Sequence, residues 1–332
     1  MNRNRRSLLR TLGATPVLAT GLGTLPSTVF ANTFPSRPIK LVVPHAAGGN
    51  SDAFGRILAQ KLGDRLGQQV VVENRPGAGG TIACGQIARS APDGYTLVVA
   101  DTGTHAIAPT LYGKRLTYDV VKDFTPIMQA VNFSTVLLVH PSVPAQTPAE
   151  FVALAKAQPG KLTYSSAGVG NGSHLALELF RTAAGGLDMV HVPYKGGAPA
   201  IQALIAGEVQ LTAVSVNTSL PHIRSGRARP LGLASTKRNP ALPELPTFQE
   251  SGIPFEADNW LAILGAPGIA PDVVAKLNAE IAATLNEPDV KERLQAIGLS
   301  IVASSPDAFV EQMKADVVKW GKAVRDSGAT TE

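Results

Sequence analysis

Twice along this chain, a buried-strand run ends in a glycine-rich turn that leads directly into a helical pattern. The first run, residues 39–44 (IKLVVP), continues into 45–52 (HAAGGNSD), and the second, 161–165 (KLTYS), continues into 166–173 (SAGVGNGS). A turn of this kind presents backbone N–H groups at the positive end of a helix dipole, which favours a bound anion. Glycine also allows close approach of a ligand and a positive φ angle. The two turns therefore predict one anion site, held from both sides by two parts of the chain.

Strand and helix patterns alternate around both turns. In the first block we predict strands at 39–44, 69–73 and 95–100, and helices at 52–66 and 81–90. In the second block we predict strands and helices in alternation, with strands at 135–140, 161–165, 189–192, 209–216 and 230–235, and helices at 148–158, 173–183 and 198–206. The βαβαβ order predicts a parallel sheet covered by helices in the first block.

The length and the C-terminal pattern define the expected domains. A chain of 332 residues fits two domains better than one. The last segments return to helix, at 271–285, 289–297 and 306–325. We expect an α/β protein with two lobes, one formed by 32–131 together with 236–332 and the other by 132–235, with the helical tail packed on the first lobe.

The first 31 residues read as an export signal. Arg3, Arg5, Arg6 and Arg10 form a charged segment, an apolar stretch rich in Gly and Ala follows, and the small residue Ala31 ends a cleavage pattern. The pair Arg5-Arg6 followed by two leucines is typical of a twin-arginine signal. The apolar stretch is shorter than the ~20 residues that a membrane span needs. We therefore predict export to the bacterial periplasm and a mature chain that starts near Asn32.

Charge and composition exclude several classes of function. The four arginines of the export signal are part of the 30 basic residues, and without them 26 basic residues face 25 acidic ones, a formal net charge of +1. A nearly neutral protein lacks the excess of positive charge that is typical of nucleic-acid-binding proteins. One cysteine, Cys84, forms neither an intrachain disulfide nor a cysteine-rich zinc site. We predict no cofactor, because the G-A-G-G turn at 77–80 lacks the last glycine of a dinucleotide fingerprint and the periplasm supplies no NAD.

Candidate catalytic groups are scarce, and we predict neither a catalytic set nor a metal site. His174 and Glu178 stand four residues apart on a predicted helix, a spacing that suits a metal, although packing is the simpler interpretation. His45 and His105 follow predicted strands, where α/β folds place ligands. An enzyme acting on carboxylates, such as a hydrolase or a lyase, remains the alternative to a binding protein.

A set of ordered motifs extends over the whole predicted mature chain. They are 34–39 (FPSRPI), 71–80 (VVENRPGAGG), 91–97 (APDGYTL), 159–162 (PGKL), 164–168 (YSSAG), 173–175 (SHL), 191–196 (HVPYKG), 220–223 (LPHI) and 243–247 (PELPT). In these motifs the chain resembles the Bug family, the solute-binding receptors of tripartite tricarboxylate transporters. Motifs of this length and order are far more specific than a single glycine loop.

The resemblance implies a two-lobed clamshell of the periplasmic-binding-protein type (type II, or Venus flytrap), without catalysis. Its expected ligand is a small carboxylate: a dicarboxylate, an acidic amino acid or an aromatic acid. Its expected partners are membrane transporter subunits. Carried over by position, the ligand-binding residues of the first turn are Pro44, His45, Ala46, Ala47, Gly48, Gly49, Asn50, Ser51 and Asp52, and those of the second are Ser165, Ser166, Ala167, Gly168, Val169, Gly170 and Ser173.

The segments expected on the far side of the cleft depart from the residue types that are common in the family. The segments 101–105 and 215–218 would line it, and Thr102 belongs to the first of them. We predict that His45, His105, Asn217 or Thr218 bonds the distal polar group of the ligand, because these polar side chains replace residue types that are common in the family. Asp52 would order the first turn and cap its helix. A sensor that reports to a membrane signalling partner is an alternative to a transport receptor.

Overall fold

The structure, a computed structural model, describes residues 34–330. The predicted export signal, residues 1–31, lies outside the described residues. Within the described part of the chain, no helix combines the length and the apolar character needed to cross a membrane.

The first of two β-sheets has six strands in the spatial order β11-β4-β10-β3-β1-β2. Its strands are β1 (Ile39–Val43), β2 (Val70–Asn74), β3 (Thr96–Asp101), β4 (Thr125–Phe133), β10 (Asn259–Gly265) and β11 (Leu299–Ile301). Strands β1, β2 and β3 are parallel, as predicted. Parallel strands end at the same edge of a sheet, so the residues after β1 and β3 are neighbours in space.

The second sheet has five strands in the order β7-β6-β8-β5-β9. They are β5 (Thr135–Val139), β6 (Thr163–Ser166), β7 (Val190–Pro193), β8 (Leu211–Ser215) and β9 (Arg229–Leu233). Here β6 is parallel to β7 and β8, while β5 runs antiparallel to β8 and β9. Every residue of β5 is buried, which is the pattern expected of a central strand covered on both faces.

Ten α-helices connect and cover the two sheets in the described residues, together with short 3₁₀ and π turns. They are α1 (Asn50–Leu66), α2 (Thr81–Ile87), α3 (Ala108–Tyr112), α4 (Pro148–Ala157), α5 (Gly172–Ala183), α6 (Gly197–Ile205), α7 (Val216–Arg224), α8 (Pro271–Leu285), α9 (Pro288–Ala296) and α10 (Pro306–Ser327). Helix α1 buries Phe54, Leu58 and Leu62, which recur every four residues on one face. It ends at Gly67, whose φ of +64° suits the left-handed position after a helix.

The chain passes between the two sheets at Ser134, the one residue that separates β4 from β5. It returns through residues 234–258 and enters the first sheet as β10, which pairs antiparallel with both β3 and β4. The first sheet is therefore mixed, which corrects the expectation of a parallel sheet. Local patterns cannot reveal this arrangement, because β10 joins its neighbours from a sequence distance of well over 100 residues.

The C-terminal helices α8, α9 and α10 pack only partly as expected. Helices α8 and α9 pack on α1 and on strands of the first sheet, as predicted. Helix α10 contacts β4 and α3 but also α5, which covers the second sheet. Its buried side chains Phe309, Met313 and Trp320 belong to a core cluster that includes residues of both sheets, such as Val42 and Leu137. The last helix therefore joins the two halves of the molecule.

Candidate functional site

A cavity of about 520 Å³ has walls that come from both sheets. The first sheet contributes residues that follow β1 and β3, and the second contributes the turn between β6 and α5 together with the end of β8. Eight of the predicted site residues line this cavity: His45, Thr102, Ala167, Gly168, Val169, Gly170, Ser173 and Thr218. Part of each of the two glycine-rich turns therefore lines the same cavity.

The turn between β6 and α5 is shaped by its glycines and by side-chain hydrogen bonds. Gly168 and Gly170 have φ angles of +130° and +71°, which residues with a Cβ rarely adopt. Asn171 caps α5, since its side-chain oxygen accepts from the N–H of Ser173 at 3.0 Å. His174 Nδ1 accepts from the N–H of Gly170 at 3.1 Å, which anchors the turn to the first turn of α5.

Several N–H groups of this turn are already occupied within the protein. Ser173 Oγ accepts from Ala167, and Ser166 Oγ accepts from Gly168. In the described residues, the N–H groups of Val169, Gly172 and His174 make no intramolecular hydrogen bond. The start of α5 therefore has fewer free donors than the glycine pattern predicts: three unpaired N–H groups lie at the positive end of its dipole in the described residues.

The turn after β1 contributes only His45 to the cavity. The structure does not bring the other residues predicted there to the cavity: Ala46, Ala47, Gly48 and Gly49 are exposed to solvent, Pro44, Ser51 and Asp52 are buried elsewhere, and Asn50 lies at the edge. That the whole turn contacts a ligand stays a prediction.

Asp52 ties this turn to the first turn of α1 and to the end of β2. Its Oδ2 accepts from the N–H of Gly48 at 3.0 Å, and its Oδ1 accepts from Asn74 Nδ2 at 3.0 Å. Hydrogen bonds from the Arg56 guanidinium hold the pKa of this carboxyl below its usual range. Asp52 thus supplies a negative charge in the first turn of α1 and bonds to the turn before it. The prediction that Asp52 caps α1 is wrong, because the N-cap position is Gly49 and no side chain caps this helix.

His45 and Asp101 form an ion pair at the cavity wall. His45 Nε2 donates to Asp101 Oδ2, and the negative charge of Asp101 raises the pKa of His45 although burial opposes this shift. Burial by itself would raise the pKa of Asp101, but the charge and hydrogen bond of His45, together with the Thr104 N–H at 2.8 Å, lower it. Each partner therefore favours the charged form of the other, the imidazolium of His45 and the carboxylate of Asp101.

His105 lies in the core instead of the cavity. It is completely buried, its ring packs edge-on against Phe124 with centroids 4.7 Å apart, and Tyr118 lies 5.8 Å away. Its Nδ1 bonds to Thr104 Oγ1 at 3.0 Å, and burial lowers the pKa of His105 to about 4. The structure thus removes it from the predicted set: the segment after β3 coils into a π turn, Gly103–Ile107, which directs this side chain inward.

Asn217 and Thr218 begin α7 and have different surroundings. Thr218 lines the cavity, and its hydroxyl lies 3.0 Å from Ser215 Oγ, the cap of the helix. Asn217 does not line the cavity, because its side-chain amide donates to Asn50 Oδ1 at 3.1 Å. This hydrogen bond connects the helix after β8 to the first turn of α1, so two predicted site residues bond to each other.

Ser165 and Ser166 are fully buried beneath the second turn, away from the cavity. Ser165 Oγ donates to the carbonyl of Ala200 at 2.9 Å, and Ser166 Oγ bonds to His191 Nε2 at 2.6 Å. The His191 ring stacks on His174 at a centroid distance of 4.0 Å. The side chains of Ser165 and Ser166 thus bond within the protein and support the turn.

The sequence analysis did not predict the residues that β4, β5, β10 and α3 contribute to the cavity. Phe133, Thr135 and Asn259 lie where β4, β5 and β10 meet, and Asn259 Nδ2 donates to Thr135 Oγ1 at 3.2 Å. Tyr112 and Leu111 form a wall at the end of α3. The apolar runs of β4 and β10 were the available signal, but nothing local shows that these strands meet at the cavity.

A comparison of the sequence with protein-family models places residues 54–329 in the tripartite tricarboxylate transporter family receptor, TctC. Among curated relatives, BugT of Bordetella pertussis is 35% identical over 303 residues, which cover 91% of this chain and 92% of BugT.

Solved structures of similar proteins have the same fold. The periplasmic binding protein BugD aligns with a TM-score of 0.76 and 34% identity, covering 90% of this chain and 100% of BugD. R. palustris Rpa4515, solved with adipate, aligns with a TM-score of 0.80 and 33% identity over 90% and 99% of the two chains. MatC from Rhodopseudomonas palustris, solved with malate, aligns with a TM-score of 0.75 and 32% identity over 88% and 100%.

These similarities confirm the predicted fold class, a mixed α/β protein with the two-sheet architecture of periplasmic binding proteins. They also confirm the resemblance read from the motifs, because both the identity and the coverage extend over most of the chain. The protein belongs to the TctC family of tripartite tricarboxylate transporter receptors.

Proposed function

We propose that this protein is a periplasmic solute-binding receptor that captures a small organic carboxylate in the 520 Å³ cavity and delivers it to a tripartite membrane transporter. The observation that carries the proposal is the meeting of two kinds of donor in one cavity. Unpaired N–H groups of Val169 and Gly172 lie at the start of α5, and the imidazole of His45, whose pKa the charge of Asp101 raises, lies on the wall from the first sheet. Both favour an anion.

The relatives support a carboxylate as the anion. Adipate and malate, the ligands named for Rpa4515 and MatC, are both small carboxylic acids. We therefore propose that a carboxylate of the ligand occupies the start of α5, where it is held by N–H groups directly or through water. Ser173 and Thr218, which also line the cavity, would add hydroxyl contacts.

We propose binding without chemical conversion. A hydrolase would need an accessible nucleophile next to a base. Ser166 is bonded to His191, but it is completely buried. His45 lines the cavity, but its hydrogen-bonding partner in the described residues is Asp101. This pair contains no hydroxyl or thiol that the histidine could activate as a nucleophile.

We further propose two lobes, formed by residues 32–131 with 236–332 and by 132–235, which close on the ligand by a hinge motion. The assignment of strands to sheets supports this division, since β5 to β9 fall in 132–235. The Asn50–Asn217 hydrogen bond would help to hold the lobes together. Export of the chain through the predicted signal at 1–31 would place this cycle in the periplasm.

A thermal-shift screen of the purified protein against about a hundred carboxylic acids tests the proposal. Binding stabilises the folded protein by mass action, by about 2.7 kcal/mol when the free ligand is at 100 times its Kd. We expect one acid or a small group of acids to raise the midpoint, while the matching amides, which have the same shape without the charge, leave it unchanged.

Two outcomes would contradict the proposal. One is the absence of a shift with every acid, combined with the absence of an acid in mass spectra of the denatured protein. The other is recovery of a bound acid in chemically altered form after incubation, which would favour the hydrolase or lyase. Co-purification with a membrane signalling protein instead of transporter subunits would favour the sensor.

A further inference from the structure

One ring nitrogen of His174 fixes the turn between β6 and α5. The backbone N–H of Gly170 donates to His174 Nδ1 at 3.1 Å. Since a backbone N–H can only donate, this nitrogen is an unprotonated acceptor, and the proton of the neutral ring is on Nε2. His174 Nε2 lies 3.9 Å from Glu178 Oε1, a carboxylate oxygen that favours a proton on this side of the ring. The observed contact therefore requires a neutral His174 with Nδ1 free to accept.

Stacking holds the His174 ring in place beneath the turn. The ring lies parallel to that of His191, with centroids 4.0 Å apart and planes inclined by 8°. His191 Nε2 bonds to Ser166 Oγ at 2.6 Å, and Ser166 Oγ accepts from the N–H of Gly168 at 3.2 Å. The two stacked imidazoles thus hold both glycines of the turn that have a positive φ, Gly170 directly and Gly168 through Ser166.

The held glycines flank a donor of the proposed site. Val169, whose N–H makes no intramolecular hydrogen bond in the described residues, lies between Gly168 and Gly170. A residue with glycine on each side has wide conformational freedom unless other contacts restrict it. A turn that is ordered before the ligand arrives lowers the entropy cost of binding. The contacts of the imidazoles therefore bear on the affinity of the cavity as well as on the shape of the turn.

Resting on the proposed capture of a carboxylate at the start of α5, we propose that His174 is a positioning residue for that site: its neutral ring holds Gly170, and with it the Val169 N–H, in the binding geometry, and protonation of the ring releases the turn. A charged imidazole has a proton on both nitrogens, so Nδ1 then faces the Gly170 N–H as a second donor. The hydrogen bond is lost, and the turn loses its support. Affinity for the acid consequently falls as the pH falls through the pKa of His174.

The neighbours of His174 on its own helix keep it neutral at pH 7. Burial lowers the pKa of His174 below its ordinary value of 6.5, the charge of Glu178 opposes this shift, and that of Arg181 adds to it. Glu178 has stronger partners than His174, because its Oε1 accepts from Arg181 Nη1 at 2.8 Å and from the hydroxyl of Tyr164 on β6. The protonation of His174 therefore takes place below pH 6.5.

Other elements packed near His174 bring no group that titrates between pH 5 and pH 8. Burial and the charge of His174 lower the pKa of His191 on β7 to about 4. Burial raises the pKa of Tyr164. Strand β8 packs on α5, and its sequence, LTAVS, has no titratable side chain. Helix α10 also packs on α5, and its nearby charged side chains, Lys319, Lys322 and Asp326, make ion pairs with one another or with other acidic residues of this region.

Nitrogen-15 NMR of the purified protein without ligand tests the hydrogen bond directly. At pH 8 the Nδ1 resonance of His174 should be that of an unprotonated nitrogen. On titration to pH 5 it should shift towards the protonated form, and the Gly170 amide resonance should move with the same midpoint. A proton on Nδ1 at pH 8, a ring that stays neutral down to pH 5, or a Gly170 amide that is unaffected by the titration of His174 would overturn the inference.

Two substitutions separate the acceptor from the charge. His174→Asn places an amide oxygen near the position of Nδ1 and cannot titrate, whereas His174→Phe keeps a stacking ring without an acceptor. The control is His140→Asn, since His140 lies at the end of β5 away from the cavity and bonds to Ser142. Far-ultraviolet circular dichroism verifies that each variant is folded. If His174→Phe does not fold, the Asn variant and the NMR titration still decide the question.

Calorimetric titration with adipate, malate and benzoate at pH 7.5 and pH 5 provides the binding data. The quantity compared is the Kd of each variant divided by the Kd of the unmodified protein at the same pH, because this ratio cancels the titrations of the acid and of His45. For His174→Asn the ratio should be about 1 at pH 7.5 and fall by about 3-fold or more at pH 5, up to the limit of about 10-fold per pH unit. For His174→Phe it should be about 3- to 10-fold above 1 at pH 7.5, the effect of one lost hydrogen bond, and approach 1 at pH 5. For His140→Asn it should stay at about 1.

The outcomes separate this inference from the proposed function. If an acid binds, a ratio of 1 for His174→Phe at pH 7.5, or a ratio for His174→Asn that does not change with pH, would overturn the positioning role of His174 while leaving a carboxylate receptor in place. If none of the three acids binds and the screen described above finds no other acid, the carboxylate function fails, and the inference that rests on it fails with it.

Discussion

The side-chain amide of Asn217 donates a hydrogen bond to the side-chain oxygen of Asn50 across 3.1 Å. Asn50 is the first residue of α1, which covers the first sheet, and Asn217 lies in the first turn of α7, which follows β8 of the second sheet. The two residues are 167 positions apart in the sequence, and their contact connects elements of the two sheets.

Replacing Asn217 with Ala should weaken ligand binding by about 0.5–1.5 kcal/mol, the net contribution of one hydrogen bond. The physical reason is that, in the proposed hinge motion, the substitution removes a contact that would form only when the two lobes close on the ligand. Calorimetry on Asn50→Ala, Asn217→Ala and the double variant forms a double-mutant cycle. Fully additive losses would show that the two side chains act independently and that the contact has no role in closure.

Replacing His45 with Phe should weaken binding of the acid by roughly 1.5–3 kcal/mol, because a charge-assisted hydrogen bond is lost while the ring volume remains. His140→Phe is a matched control, since His140 lies at the end of β5 away from the cavity and bonds to Ser142. An unchanged Kd in the His45 variant would remove this residue from the site.

The ion pair makes binding and stability depend on pH in a defined direction. Asp101 raises the pKa of His45 above its ordinary value of 6.5, so the stabilisation from the charged imidazole is fully present below pH 6.5 and is lost as pH rises through the raised value. The acid should accordingly bind more weakly above that range. The measurement is a pH series of Kd and of unfolding midpoint for the unmodified protein and for His45→Phe, whose profile should be flat by comparison; parallel profiles would contradict the assignment.

Gly170→Ala should impair binding more than its backbone strain alone explains. Gly170 has a φ of +71°, and a Cβ there would lie 2.7 Å from Leu111 Cδ1, so Leu111 would be pushed from its place in the cavity wall. Gly186→Ala is the control, because Gly186 has a φ of +79° with no atom within 4 Å of the added Cβ.

Both glycine variants should lose about 1 kcal/mol of stability from the left-handed backbone. Thermal unfolding and calorimetric titration together separate this effect from the loss of binding, which we expect for Gly170→Ala alone. Equal Kd values for the two variants would show that Leu111 can move aside without weakening ligand binding.

Much of the local structure could be predicted from the sequence. The strand, glycine turn and helix at 161–183 are predicted within two residues of their observed bounds, since buried β-branched or aromatic residues, glycine and an Asn cap all favour the same local structure there. The ordered motifs also identify the family. These features depend on residues that are close in sequence, so their physical causes can be read directly.

The details of the site depend on contacts between distant residues, and only the tertiary structure decides them. Asp52 and Ser173 occupy N–H groups that the glycine pattern suggests are free for a ligand. His45 and His105 follow strands in the same way, yet one faces the cavity beside Asp101 and the other is buried against Phe124. Sequence alone determines that two helix ends and a histidine are available; the packing of the two sheets decides which donors remain unpaired, because each hydrogen bond formed inside the protein removes a donor from the ligand.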